Sequence, residues 1–225
     1  MLLDFHVMSS TVHLVEKQPI PLLMPIFRSQ QQGELLAWLL DDPERETSLS
    51  DLANRLNIPA PSVHREVERA IQSGIVMSRK IGGSRLIRVN QASKLVEPLR
   101  QVLVMTFGAP ARLGRVLGQI DGVEEAFIFG SWAARYQGVV GKRPVGDIDV
   151  LVIGEPNREV VYEWLADVEP DLGYPVQVTF RTRAWWTDST DGFHETVLNR
   201  PLIQIVGSGD LLRNASAALM ASEAH

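Results

Sequence analysis

Several features common in secreted and membrane proteins are missing from this sequence. It contains no cysteine, which excludes a disulfide framework, a thiolate zinc site and a cysteine nucleophile. It has no run of about 20 apolar residues, the length that a membrane-spanning helix needs. Residues 1–6, Met-Leu-Leu-Asp-Phe-His, lack the basic stretch followed by an apolar core that marks a secretory signal. We therefore expect a cytoplasmic protein with no membrane partner.

What the chain does contain is typical of a globular protein with one local concentration of positive charge. Its 225 residues are 45% apolar and 22% charged, enough for one large or two small domains. Residues 61–100 hold eight basic and three acidic side chains, a net charge of +5. Because the whole chain carries −5, the remainder carries −10. An acidic protein with one basic stretch indicates a local binding site for a polyanion.

Apolar residues recur at helical spacing in three consecutive segments before the period changes to that of strands. The helical segments run from Arg28 to the Asp41-Asp42-Pro43 stop, from 49 to 56 behind a Ser48/Asp51 capping pair, and from 61 to 73. Residues 75–81 and 85–89 then alternate roughly by two around a Gly-Gly-Ser turn at 82–84. The predicted order is helix, helix, helix, hairpin.

This order predicts a winged helix-turn-helix over residues 26–93, preceded by an N-terminal arm (1–25) and followed by a linker helix (94–110). The last of the three helices would enter the major groove of double-stranded DNA, and the hairpin would contact the backbone or the minor groove. Glu66 and Glu68 count against this hypothesis, and the alternative is an ordinary charged surface. The candidate DNA-binding residues are Ser62, His64, Arg65 and Arg69 on the helix, and Arg79, Lys80, Arg85 and Arg88 on the hairpin.

The second half carries a different signal, a strand that ends at Gly130-Ser131 and a later strand that opens with Asp147-Ile148-Asp149. A turn of small residues lets backbone N–H groups approach phosphate oxygens. Carboxylates at i and i+2 of a strand point to the same side, where they can hold one or two Mg²⁺ ions. Asp147 and Asp149 are therefore candidate catalytic and metal-binding residues for metal-assisted nucleotidyl transfer.

Residues 127–153 resemble the polymerase-beta-type nucleotidyltransferases, especially the minimal nucleotidyltransferases of prokaryotes. The resemblance lies in Phe129-Gly130-Ser131, Ala134-Arg135 and the Asp-Ile-Asp-Val-Leu-Val run at 147–152, and it extends over most of 111–206. Residues 26–107 are similar to winged-helix modules of bacterial transcriptional regulators, and the joined arrangement resembles actinobacterial regulators that pair the two domains. The expected fold is α+β, a winged helix-turn-helix followed by a small mixed-sheet nucleotidyltransferase-like domain (111–225).

The resemblance also implies roles for individual residues. Gly130 and Ser131 would contact a nucleoside triphosphate, Arg135 would help to shape the phosphate loop, and Asp147 and Asp149 would bind Mg²⁺.

The sequence departs from the family pattern in two places. The gap between Ser131 and Asp147 is longer than the roughly ten residues of compact members. Active members also carry a third carboxylate on a neighbouring strand, and here Gln177 occupies the matching position. An amide can still bind a metal ion, but it cannot act as a base and it adds no negative charge. We therefore expect weak binding of Mg²⁺ and nucleotide, with slow turnover or none.

Three functions remain open from the sequence. The first is a DNA-binding regulator whose second domain senses a nucleotide or docks a partner protein. The second is an enzyme that transfers a nucleotidyl group to a protein, an RNA or a small molecule. The third is an antitoxin, because minimal nucleotidyltransferases of this kind often modify or cap a partner toxin. The amide of Gln177 in place of a third carboxylate favours the DNA-binding regulator. We further expect a homodimer, since one helix-turn-helix offers few base contacts, with Val96, Leu99, Leu103 and Val104 as the seam.

Overall fold

The computed structural model describes residues 27–139 and 145–208 and confirms the α+β class. Helices surround two separate β-sheets, one in each half of the chain. The expected N-terminal arm, residues 140–144 and nearly all of the expected last helix at 208–221 lie outside the described residues. In the described ranges no helix has the length and apolar character needed to cross a membrane.

The first half has the predicted order of three helices followed by a hairpin. The short strand β1 was not predicted; it forms where Thr47 and Ser48 pair with Ile87 and Leu86, so that β3 lies between β1 and β2 in an antiparallel sheet. The elements are α1 (Gln30–Asp41), β1 (Thr47–Ser48), α2 (Leu49–Leu56), α3 (Ala60–Gln72), β2 (Val76–Ile81), β3 (Ser84–Val89) and α4 (Val96–Phe107).

Local chemistry explains where these elements begin and turn. The Ser48 hydroxyl accepts the Asp51 backbone N–H at 3.1 Å and donates to the Asp51 carboxylate at 2.7 Å, which caps α2. Between β2 and β3, Ile81 pairs with Ser84, so the connection consists of Gly82 and Gly83 alone. Gly82 has a φ of +56°, a conformation that favours glycine and suits a two-residue hairpin turn.

The second half forms a four-stranded mixed sheet in the order β6-β5-β4-β7. Strands β5 and β6 are parallel, whereas β4 pairs antiparallel with both β5 and β7. The four strands were predicted, whereas α6, α8 and α9 were not. The elements are α5 (Ala109–Leu117), β4 (Val123–Phe129), α6 (Gly130–Tyr136), β5 (Ile148–Gly154), α7 (Arg158–Leu172), β6 (Val176–Arg181), α8 (Arg183–Asp188), α9 (Gly192–Leu198) and β7 (Ile203–Val206).

Helix α4 belongs to the hydrophobic cores of both halves. It contributes Leu103 and Phe107 to the core of the first half and Val104 to that of the second. The expected dimer seam on this helix is wrong, because Val96, Leu103 and Val104 are buried inside the single chain and Leu99 packs against the same core. The helix carries its apolar face inward, toward α1, rather than toward a second copy.

Candidate functional site

The two predicted carboxylates stand at the beginning of β5. Asp147 immediately precedes the strand, Asp149 is its second residue, and both are partly buried. Burial raises the pKa of Asp149 above its ordinary value, and the nearby Asp147 carboxylate raises it further. A divalent cation bound beside Asp149 would offset both effects, because an opposite charge favours the ionised carboxylate.

Gly130 brings the end of β4 against Asp149. Phe129 pairs with Asp149 across the two strands, and Gly130 follows with a φ of +72°, the left-handed conformation that favours glycine. A side chain added at Gly130 would overlap the Asp149 carboxylate. The Phe-Gly-Ser turn and the aspartate pair, separated by 17 positions in the sequence between Gly130 and Asp147, therefore meet in the structure.

The two other predicted nucleotide-binding residues lie at opposite ends of α6. Ser131 follows Gly130 in the first turn and is exposed next to the carboxylates' strand. Arg135 lies in the last turn, and its Nη1 is 3.7 Å from the Asp42 carboxylate of the first half. The structure thus brings Gly130 and Asp149 together, while the Arg135 guanidinium is directed toward the first half of the chain.

Gln177 is the residue beside Asp149 on the neighbouring strand. Strands β5 and β6 run parallel with Asp149 in register with Gln177, so both side chains stand on one face of the sheet. Gln177 is exposed and belongs to the outer strand. The position at which the resemblance implies a third carboxylate is therefore adjacent to Asp149, and an amide occupies it.

The resulting donor set is two carboxylates and one amide. Across the described ranges there is no group of three or more His, Cys, Asp or Glu side chains that could hold a metal ion. Carboxylate and amide oxygens are nevertheless the ligands that Mg²⁺ accepts, and nucleotide phosphates can complete its coordination. This site can hold a cation that arrives with a triphosphate, but it has less negative charge than a site with three carboxylates.

The predicted DNA-binding residues of α3 lie on its exposed face. Val63, Val67 and Ala70 are buried against the rest of the first half, whereas His64, Arg65 and Arg69 are exposed and Ser62 is partly so. Arg65 donates to the Ser62 hydroxyl at 3.0 Å. The hairpin extends beside this helix, and Arg79, Lys80 and Arg88 are exposed on it.

Glutamates neutralise several of these cations. Their partners are Glu66 for Arg69, Glu46 for Arg79 and Glu68 for Arg85, and Glu68 also lies 3.9 Å from the His64 imidazole. Bonding to Arg79 lowers the pKa of Glu46, which keeps this pair ionised. Exposed ion pairs of this type contribute little to stability, so a phosphate could replace a glutamate at low cost. The cations of this surface that are free of such a pair within the described residues are Arg65, Lys80 and Arg88.

The sequence did not reveal a polar contact zone between the halves. Arg100, which is 4% exposed, donates to both carboxylate oxygens of Glu97 at 2.8 Å and to the Tyr136 carbonyl at 2.6 Å. Arg45 donates to the Tyr174 hydroxyl at 2.8 Å. Arg112 joins Glu34 of α1 to Asp171 of α7. Helical spacing could have paired Glu97 with Arg100, which are three positions apart on α4. It could not have paired the others, because those partners lie tens of positions apart and belong to different elements.

Comparison of the chain with models of known protein families, with curated proteins and with solved structures gave no match.

Proposed function

We propose that this protein is a cytoplasmic DNA-binding transcriptional regulator whose second half is a nucleotidyltransferase-like domain that binds a nucleoside triphosphate with Mg²⁺ and turns it over slowly or not at all. The observation that carries the proposal is the surface formed by α3 and the β2–β3 hairpin. One helix face and one hairpin expose basic residues side by side, in the order of a winged helix-turn-helix.

The nucleotide part of the proposal is supported by the packing of Gly130 against Asp149 and by the register of Asp149 with Gln177. The first contact brings the Asp149 carboxylate against the end of β4, where a turn of small residues would let backbone N–H groups approach a phosphate oxygen. The second sets the Gln177 amide beside Asp149, whereas an active nucleotidyltransferase of the type that the sequence resembles would need a carboxylate there. Without that ligand, a second metal ion beside the attacking hydroxyl would lose both charge compensation and positioning.

DNA binding is tested by fluorescence anisotropy with the protein's own upstream region over a range of salt concentrations. Affinity should fall steeply with salt, because phosphate contacts release counterions. Arg79→Ala with Arg85→Ala should weaken binding to all sequences and reduce the log–log salt slope by about two. Arg65→Ala should instead relax sequence preference. Binding that is independent of salt, or no binding to duplex DNA, would contradict the regulator.

Nucleotide binding is tested by calorimetry with a nonhydrolysable triphosphate and Mg²⁺. Asp147→Asn with Asp149→Asn should abolish metal-dependent binding, whereas Asp167→Asn, which changes an exposed carboxylate on α7, should not. Gln177→Asp should strengthen metal binding and restore measurable transfer. If the variant with both Asp147→Asn and Asp149→Asn binds the nucleotide as the wild type does, the site is not at the start of β5.

The second candidate is an active nucleotidyltransferase, including an antitoxin that modifies a toxin-like partner protein or an RNA. The observation in its favour is the intact Gly130, Asp147 and Asp149 arrangement. Labelled triphosphates with Mg²⁺ or Mn²⁺ separate the two functions. Transfer by the wild type at about 1 s⁻¹ or faster would establish the enzyme and would show that Gln177 does not limit the chemistry.

A further inference from the structure

A cleft lies at the opposite end of the sheet from the aspartate pair. It has a volume of about 440 Å³ and is lined by the loop after β5, the start of α7 and the end of β6. Asp147 and Asp149 open β5, whereas this cleft begins at Gly154, which closes it. A seven-residue strand is about 20 Å long, so the cleft is separate from the nucleotide site proposed above and does not depend on it.

Two arginines in this cleft have no carboxylate partner among the residues that the structure describes. Arg158 lies over the Phe180 ring at 5.0 Å, and Arg181 lies 5.2 Å from the rings of both Trp185 and Phe193. Within the described residues neither guanidinium forms an ion pair, in contrast to Arg69, Arg79 and Arg85 on the basic surface of the first half. Stacking on aromatic rings leaves the N–H edges of a guanidinium available.

The aromatic contacts also fix where these charges are held. Phe180 is packed edge-on against Tyr162 of α7, and Trp185 donates its indole N–H to Asp191 at 2.8 Å. Arg181 itself uses Nη1 to donate to the Phe180 carbonyl at 2.8 Å. Arginines whose stems and faces are held in this way lose less conformational entropy when they bind an anion than free surface arginines do.

Thr182 adds a hydroxyl to the same cleft. Its oxygen accepts the Trp185 backbone N–H at 3.2 Å, which leaves the hydroxyl hydrogen free to donate. Among the described lining residues the one carboxylate is that of Glu155, which is exposed. The cleft therefore offers several donors and two positive charges against one negative charge.

We propose that this cleft binds the phosphate group of a small phosphorylated ligand through Arg158, Arg181 and Thr182. Guanidinium forks match the oxygens of a phosphate with two parallel N–H···O bonds each. The cleft volume falls within the range of small-molecule sites, so it accommodates a phosphate with an attached group.

Calorimetry of the full chain at low ionic strength tests the proposal, with inorganic phosphate and adenosine monophosphate as separate probes and without divalent metal. Saturable binding is expected for at least one probe, and tighter binding of the nucleotide would show that the attached group also contacts the cleft. Arg158→Gln with Arg181→Gln should weaken binding roughly ten- to hundredfold. Glu155→Gln should strengthen it by removing the opposing charge. No saturable binding of either probe would overturn the proposal.

Two controls keep the result specific. Arg183 lies next to the cleft and already donates to Glu124 at 2.9 Å. Arg183→Gln therefore removes a positive charge of the same kind, and it should leave the affinity for the phosphate probes unchanged. Asp147→Asn with Asp149→Asn should also leave it unchanged, so failure here and failure of the nucleotide site are distinguishable. Since Arg181 packs between two rings, Arg158→Gln alone serves as the variant that preserves this packing. Equal affinity of Arg158→Gln and wild type would exclude Arg158 from the site.

Discussion

At the scale of single residues, the contact between Gly130 and Asp149 gives the sharpest expectation. Gly130→Ala should destabilise the fold, because an L side chain is strained at a φ of +72° and the new methyl group overlaps the Asp149 carboxylate. It should also abolish the proposed Mg²⁺-dependent nucleotide binding, because it would displace Asp149, the proposed metal ligand. The measurements are urea unfolding, with an expected loss of about 1–3 kcal/mol, and calorimetry with the nucleotide.

Gly138→Ala is the matched control for this prediction. Gly138 also has a positive φ, +81°, but a side chain added there would meet no atom of the described residues within 4 Å. This variant should therefore suffer the backbone strain alone and retain nucleotide binding. Equal losses of stability and binding in the two variants would show that the contact between Gly130 and Asp149 is unimportant.

Residue-level reasoning from the sequence succeeded where partners are fixed by strand geometry and failed where they are not. The family resemblance put Gln177 on a strand next to the aspartates, and the register of Asp149 with Gln177 agrees with that expectation. The ion pair of Arg135 with Asp42 joins residues 93 positions apart on a helix and a loop. No periodic pattern encodes such a contact, because it depends on how the two halves pack.

At the scale of elements, the strongly periodic segments were predictable and the short ones were not. Strand β4 and helix α2 have the bounds expected from their apolar spacing. Helix α6 was missed because it begins with Gly130-Ser131, which has the composition of a turn. Helices α8 and α9 have six and seven residues, too short for a helical period to emerge from the sequence. Tertiary contacts such as the stacking of Trp186 on Phe127 at 4.9 Å hold them in place.

The end of α1 carries an acid whose titration should be visible in the stability of the protein. Burial raises the pKa of Asp41 to about 6, against opposing effects of Arg45, Arg100 and a hydrogen bond from Trp132, with a further increase from Asp42. The folded chain therefore binds the proton more tightly than the unfolded chain, in which the pKa is near 3.8. The stability gained from this proton is fully present at a pH below the pKa of Asp41 in the unfolded chain, and it is lost as the pH rises through the pKa of Asp41 in the folded chain.

Urea unfolding of wild type and Asp41→Asn at about pH 4 and about pH 7 measures this effect. Relative to the variant, the free energy of unfolding of the wild type should fall by up to about 3 kcal/mol between the two conditions. Asp167→Asn, at an exposed position, should show no comparable difference. If the free energies of unfolding of wild type and Asp41→Asn differ by the same amount at both pH values, Asp41 does not bind its proton more tightly in the folded chain.

At the scale of the whole molecule, we expect a homodimer, because a single helix-turn-helix reads too few bases for tight, specific binding. The inward face of α4 is excluded as the contact, since its apolar residues are already buried in the chain. Analytical ultracentrifugation at micromolar concentration should show a species of twice the 25.0 kDa chain mass. A single 25.0 kDa species under these conditions, also with operator DNA present, would contradict the homodimer.

The position of α4 has a consequence for how the chain melts. Leu103 and Phe107 pack in one core and Val104 in the other, so neither core is complete without this helix. Loss of either core therefore exposes apolar surface of the other and removes the Arg100 contacts to Tyr136. We therefore expect the two halves to unfold as one cooperative unit despite their separate sheets, so that a calorimetric scan contains a single transition.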